Sequence, residues 1–371
     1  MQQTESINDY EYDDDLGRDL RVWLVIKGFN QLAIVQKIIE RNGSKAYGLT
    51  ATTNVSERKY SNGQIVLTDL NLDHFDKKTL ATSTLRISCI EPFDLAIHDA
   101  CVAYTSGYQI SIRELTTGIE KTLAADWMSF LHSVQFSSDG SRVLTASAGF
   151  DTLLEIEVES GMVVWEWNTW DHGFNYSEIG KVYITRDKNR LPTLVDRSAT
   201  LIVVSSPRDW PKEGIPTHQS PTRLNGASYD GNDLMLVTCF HRPELFRIKR
   251  DGSFEAANLG LSHPHGFFRS NLAHHDGYLV TNTGAGELLL LDEALTITHR
   301  WIFSGLSAND SKKRGFGEWI QNVVPLKPAA GIVAAIDALR DGTHILDLQK
   351  KRRRFIPNPP EWTLQKLMTA E

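Results

Sequence analysis

The chain is poor in cysteine, in helical periodicity and in long apolar runs. Its three cysteines, Cys89, Cys101 and Cys239, have no CxxC or other metal-binding spacing, which argues against a zinc-finger-type site. Their odd number, with no charged-then-apolar leader at the N-terminus, points to reduced thiols in a cytoplasmic setting. No apolar run reaches the roughly 20 residues that span a bilayer. There is no GxSxG, P-loop, HExxH or post-strand GxGxxG, so the common hydrolase, nucleotide and zinc-protease signatures are missing. The net charge of −7 argues against nucleic acid or an anionic membrane as partner. The basic run Lys350-Lys351-Arg352-Arg353-Arg354 opposes that trend and reads as a solvated strand end.

What is present is strand signal. Apolar residues make up 41% and charged residues 23%, a soluble globular composition. From about residue 80, short runs rich in Val, Ile, Leu, Thr and Tyr alternate with turn residues, the mark of an all-β chain. Residues 131–167 show the unit: His132–Phe136, the turn Ser138-Asp139-Gly140, then Arg142–Ser147, Thr152–Val158 and Val163–Trp167. Four strands in about 40 residues make one blade of a β-propeller. The unit recurs over 98–123, 225–256, 265–302 and 322–356.

One polar slot ahead of a strand run recurs with it. Its occupants are Asn30, His98, His132, His172, Asn225, His265 and Asn322, and His-Gly-Phe appears twice, at 172–174 and 265–267. A blade takes roughly 40 to 50 residues, so the span predicts seven four-stranded blades, or six with long insertions. The expected layout is an acidic flexible tail over 1–19, one propeller domain over 20–358, and a short helix or tail over 359–371. Residues 32–42 fit a helix or a strand pair equally well.

The segments "SGMVVWEWNTWDHGF", "LNGASYDGNDLMLVTCF" and "HPHGFFRSNLAHHDGYLVTNTG" resemble blade junctions of arylsulfotransferase-like propellers, and 131–167 resembles a WD-repeat blade whose Trp-Asp ending is replaced by Trp165-Glu166-Trp167. The resemblance covers about 130–350. It implies the propeller fold, and it implies that an axial histidine, His265 or His172, accepts a sulfuryl group.

Strand heads converge on the propeller axis, so four imidazoles there would suit a divalent transition metal, Fe, Cu or Zn. The expected metal set is His98, His132, His172 and His265, with His172 and His265 catalytic. Asn30, Asn225, Asn322, Arg269 and His263 are expected to bind substrate. The function expected from the residues is a metal-dependent propeller enzyme, of oxidoreductase (oxygenase) or lyase type, acting on a small molecule in the axial pocket. The alternatives are a WD-like scaffold that docks a protein on its top face, and sulfuryl transfer through a histidine nucleophile. A histidine that only bonds within its own blade is the competing structural role for each candidate.

Overall fold

Strands account for most of the regular secondary structure among the described residues. The computed structural model describes residues 2–29, 62–187, 189, 196, 198–209, 214–231, 233–272, 275–305 and 318–370. Its strands form seven sheets. Six of them close into a β-propeller. From inside out, blade 1 is Trp362–Thr369, Arg21–Phe29, Asn62–Asp69 and Leu85–Ile90. Blade 2 is Leu95–His98, Cys101–Ser106, Gln109–Glu114 and Glu120–Leu123, and blade 3 is Leu131–Phe136, Arg142–Ser147, Thr152–Glu157 and Val163–Asn168. Blade 4 is Leu224–Tyr229, Leu234–Cys239, Glu244–Lys249 and Phe254–Asn258. Blade 5 is Phe267–Leu272, His275–Asn282, Glu287–Leu291 and Ile297–Ile302, and blade 6 is Ile320–Lys327, Ile332–Asp337, Gly342–Asp347 and Arg352–Pro357.

Apolar side chains alternate along these strands and fill the wedges between neighbours. Trp23 and Val25 meet Leu95 and Val102 between blades 1 and 2. Ala103 meets Leu131 and Val134 between blades 2 and 3, and Leu144 and Leu153 meet Met235 and Phe246 between blades 3 and 4. The ring continues through Leu245 on Tyr278 and Leu288 on Val323. It closes where Ala334 meets Leu24 and Leu364.

The seventh sheet, Tyr176–Ser177, Val182–Thr185 and Thr200–Val203, is three-stranded and stands outside the ring. It packs on Phe150 and Trp170 at the edge of blade 3. Blades 3 and 4 touch directly beneath it: the Ala227 N–H donates to Ser133 Oγ at 3.1 Å, and Tyr229 OH donates to the Glu155 carboxylate at 2.9 Å. Asp151 anchors the insertion, accepting from Trp170 Nε1 at 3.1 Å and from Ser220 Oγ at 2.9 Å. The seven units read along the chain thus become six blades and one insertion, which occupies the long interval between His172 and Asn225. Of the described residues, only Lys77–Thr82 form an α-helix, and no helix is long and apolar enough to cross a membrane.

Both termini depart from expectation. The C-terminal segment is not a helix but the inner strand of blade 1, paired from Trp362↔Phe29 to Thr369↔Val22. Leu364, Leu367 and Met368 suit a helical period, but ring closure overrides local preference. The acidic segment is not a mobile tail. Gln3–Ser6 adds a parallel fifth strand to blade 5 and Glu11–Tyr12 adds one to blade 6. Ile7 and Tyr10 are buried between them. The basic run supplies the complementary charge. Lys351 pairs with Glu5 at 3.2 Å and Arg352 with Asp13 at 3.1 Å. Arg354 is buried and donates to the carbonyls of Leu16 (3.2 Å), Leu70 (3.0 Å) and Leu72. The part of 32–42 that could be helix or strand lies outside the described residues.

Arg354→Met leaves three carbonyls without their donor, and buried acceptors each cost about 1–3 kcal/mol when unpaired. Urea unfolding should show a loss of at least about 3 kcal/mol. Arg352→Ala breaks only a partly exposed ion pair and should cost under about 1 kcal/mol.

Candidate active site

Four of the six inner strands carry one extra residue. The pairing register skips His132 in blade 3, Asn225 in blade 4, Gln321 in blade 6 and Gln365 in blade 1. A bulge of this kind re-aims the extra side chain. Blades 2 and 5 fit the same register: the Thr105 N–H donates to Asp94 O, and the Thr281 N–H to Gly266 O. That alignment assigns Phe93 and His265 to the slot. Two residues before the slot, the backbone is left-handed at Glu91 (φ 40°), Phe130 (φ 50°), Arg223 (φ 53°) and His263 (φ 50°). Around the axis the slot therefore reads Gln365, Phe93, His132, Asn225, His265, Gln321.

The two slot histidines are held alike. His132 Nδ1 lies 2.7 Å from Phe130 O, and His265 Nδ1 lies 3.0 Å from His263 O and 3.0 Å from Thr283 Oγ1. A carbonyl can only accept, so each Nδ1 carries the proton and each Nε2 keeps its lone pair. Neither Nε2 has a protein partner among the described residues. Burial, reinforced by the Arg223 charge, pushes the His132 pKa well below its ordinary value. Burial likewise lowers His265 to about 4, against a smaller opposing effect of its bond to His263 O. Both imidazoles are neutral at pH 7.

Aromatic rings flank them on two sides. Phe93 lies 4.2 Å from the His132 ring, and Phe130 stacks on it at 6.0 Å. Phe240 and Trp319 each lie 5.6 Å from the His265 ring. His263 packs on Phe240 at 4.6 Å and so belongs to the rim of the same mouth. Lys27 Nζ sits 4.0 Å over the Phe93 ring, and the Arg223 guanidinium 4.9 Å over Phe130. Asn225 donates through Nδ2 to Pro264 O at 2.8 Å. Aromatic rings, neutral imidazole acceptors and the Lys27 and Arg223 cations thus share the mouth.

Other expected site residues lie elsewhere. His98 ends the inner strand of blade 2 instead of heading it, and packs on Phe136 with Asp99 3.6 Å from its Nε2. The run Ala100–Tyr104, expected as the first strand of its blade, falls in the second, Cys101–Ser106. His172 belongs to the short 3-10 turn Thr169–His172 and stacks on Trp167 at 4.7 Å, away from the axis. Gly173 caps that turn at φ 88° instead of opening a strand. Arg269 is a clasp between blades, 2.6 Å from Asp230 and 2.7 Å from Glu293. Asn322 lies one residue past the slot, its Oδ1 buried without a partner among the described residues. Asn30 lies outside the described residues. The four-imidazole metal set is therefore not assembled. Among the described residues no three His, Cys, Asp or Glu side chains are grouped to hold a metal ion. Phe93, Gln321, Gln365, Lys27 and Phe240 were not anticipated. A search for His and Asn alone passes over them, although the strand register would have found the first three.

The folded state disfavours protonated His265. Stability is therefore complete above the unfolded pKa of about 6.5 and is lost as pH falls from there towards 4, by roughly 3 kcal/mol for the full shift. His132 acts in the same direction. Urea midpoints measured from about pH 7 down to about pH 4 should fall steeply for the native chain and less so for His265→Asn.

No family model matches the chain, and no curated protein matches it. Among solved structures it is similar to a protein of unknown function from Bacteroides caccae, with a TM-score of 0.53 and 11% identity over 95% of this chain and 100% of that one. It also matches a streptogramin B lyase structure (TM-score 0.47, 11% identity, 72% of this chain and 70% of that one). A third match is a catalytically inactive virginiamycin B lyase from Staphylococcus aureus with quinupristin (TM-score 0.47, 13% identity, 72% and 71%). At such identities the likeness is one of fold. It assigns the chain to neither the WD-repeat nor the arylsulfotransferase type.

Proposed function

We propose that this protein is an enzyme acting on a small molecule at the axial mouth of its propeller, with the Nε2 atoms of His265 and His132 as the reacting or proton-accepting groups. One observation carries the reading. Two histidines from non-adjacent blades are locked by the same Nδ1–carbonyl bond, 2.7 Å and 3.0 Å long, so that both keep a free Nε2 lone pair. A histidine that merely completes its own blade has no need of that repeated tautomer at two slots around one mouth. Phe93, Phe130, Phe240 and Trp319 supply the apolar walls that would orient a ligand and exclude water.

Sulfuryl transfer would use the same Nε2 as nucleophile. The scaffold reading gains less support. Of the exposed large apolar side chains, Ile119, Met162, Val163 and Val164 lie in the outer hairpins of blades 2 and 3.

A thermal-shift screen with small aromatic acids, phenols and amides tests the proposal. A ligand at 100 times its Kd adds about 2.7 kcal/mol of stability. Hits should raise the Tm of the native chain and lose that effect in His132→Ala/His265→Ala. For a turned-over hit, His265→Gln should lower kcat by about 10²–10⁴-fold. A panel without hits, or hits indifferent to both histidines, would sink the reading.

A further inference from the structure

Blades 3 and 5 share one plan in their outer strands. In blade 3, Trp167 pairs with Leu153 and Trp165 with Glu155, and Val164 is skipped. In blade 5, Trp301 pairs with Leu288 and His299 with Leu290, and Thr298 is skipped. Trp301 is therefore the counterpart of Trp167, and His299 that of Trp165.

The wedges these residues face are closed differently. Trp165 Nε1 donates to Arg250 O at 2.9 Å and Trp167 Nε1 to Gly252 O at 3.1 Å, both in the outer turn of blade 4. Two indoles thus seal blade 3 onto its neighbour. In the wedge between blades 5 and 6, His299 Nε2 instead lies 2.8 Å from Gln3 Oε1 of the N-terminal strand Gln3–Ser6. Trp301 is 5% exposed, and its Nε1 is buried without a hydrogen-bond partner among the described residues. The Tyr10 hydroxyl is nearby but too poorly placed to accept from it. That hydroxyl gives its own proton to Glu5 Oε2 at 3.1 Å.

A cavity of about 210 Å³ lies beside Trp301 in this wedge. Roughly 150 Å³ of apolar cavity is enough to hold benzene. Leu272, Leu290 and Leu348 form its apolar walls with the indole, and Gln3, Glu5 and Lys351 its polar rim. Glu5 and Lys351 pair with each other at 3.2 Å, so their charges cancel. An indole N–H can only donate, and a buried donor without an acceptor is costly. A stable buried water needs roughly two to four polar partners, and the leucines supply none.

We propose that this wedge is a second ligand site, at the outer rim of the ring, for a compact uncharged molecule with a hydrocarbon body and one acceptor oxygen, such as a cyclic ketone or a lactam. The body covers the three leucines, and the oxygen accepts from Trp301 Nε1, as Gly252 O does from Trp167. A charged ligand is disfavoured, because burying an unpaired charge costs far more than the one hydrogen bond returns. The occupant touches blade 5, blade 6 and the N-terminal strand together, and so fastens that strand to the ring.

The test is NMR of the full chain with cyclohexanone and methylenecyclohexane, probes of matching shape with and without the oxygen. The Trp301 indole N–H is assigned through its Overhauser contacts to the Leu290 and Leu348 methyls. Cyclohexanone should move that signal downfield and bind about tenfold more tightly than the hydrocarbon, the effect of one hydrogen bond to a buried donor. In Trp301→Phe, followed on the leucine methyls, the two probes should bind alike. Leu290→Phe, which narrows the cavity, should weaken both. If cyclohexanone leaves the Trp301 signal in place, if the hydrocarbon binds the native chain as tightly, or if Leu290→Phe binds both probes unchanged, the site is wrong. None of these outcomes bears on the reading of His132 and His265.

Discussion

The propeller depends on the pairing of the two ends of its chain. A single blade cannot bury both of its faces, and it is stable only as part of a closed series. Five of the six blades here are built from consecutive strands. The sixth to be completed, blade 1, takes its inner strand from Trp362–Thr369 and the other three from Arg21–Ile90. Until the C-terminal strand docks, the wedges on either side of blade 1 have no inner wall. The closing strand also carries a charge into the core. Lys366 pairs with Asp94 of blade 2 and donates to Leu95 O at 3.2 Å, so closure is tied to the neighbouring blade by a buried ion pair. The acidic strap across blades 5 and 6 is a second latch, held by the basic run of the outermost strand of blade 6.

Closure alone would make a packed cylinder. The mouth takes its shape from bulges in four of the inner strands, each of which turns one residue out of the ladder. The layer beneath is set by the next residue along: Lys366, Asp94, Ser133, Gly226, Gly266 and Asn322. It has to be compact, and Gly266 shows why. A Cβ there would stand 2.5 Å from Asn322 Oδ1. Inter-blade bonds run through this level, from the Val134 N–H to Asp94 at 2.9 Å and from the Ala227 N–H to Ser133 at 3.1 Å. The bonds that hold adjacent blades in register therefore also fix the height at which the slot side chains face the axis.

Much of this was legible along the chain. His132, Asn225 and His265 were found at the heads of strands because the turns and alternations around them are unambiguous. His98 failed because the inner strand of blade 2 is short and follows Pro92, so the longer run from Cys101 looked like the start of the blade. His172 failed because His-Gly-Phe is a local pattern with two uses. In one place the glycine leads into a strand, and in the other it caps a helical turn in the left-handed region. Arg269 is a cation that already has two carboxylates, a relation between blades that no local window contains. The inner strand at 362–369 was hidden because helical spacing and strand pairing compete there, and the partner that decides between them lies at the other end of the chain. Lys27 had no sequence signal at all, since its bulge arises from register between distant strands.

A repeat with six equivalent slots would, if each held the same residue, produce a mouth with no preferred direction. Two departures from the repeat give this one a direction. Different residues fill equivalent slots, so that aromatic, imidazole and amide groups take turns around the axis. And the blade assembled from both ends of the chain carries a second register shift, which skips Lys27. The strand pairing that completes the fold is thus the same feature that makes its mouth asymmetric. The locked tautomers of His132 and His265 then set which edge of the mouth accepts hydrogen bonds.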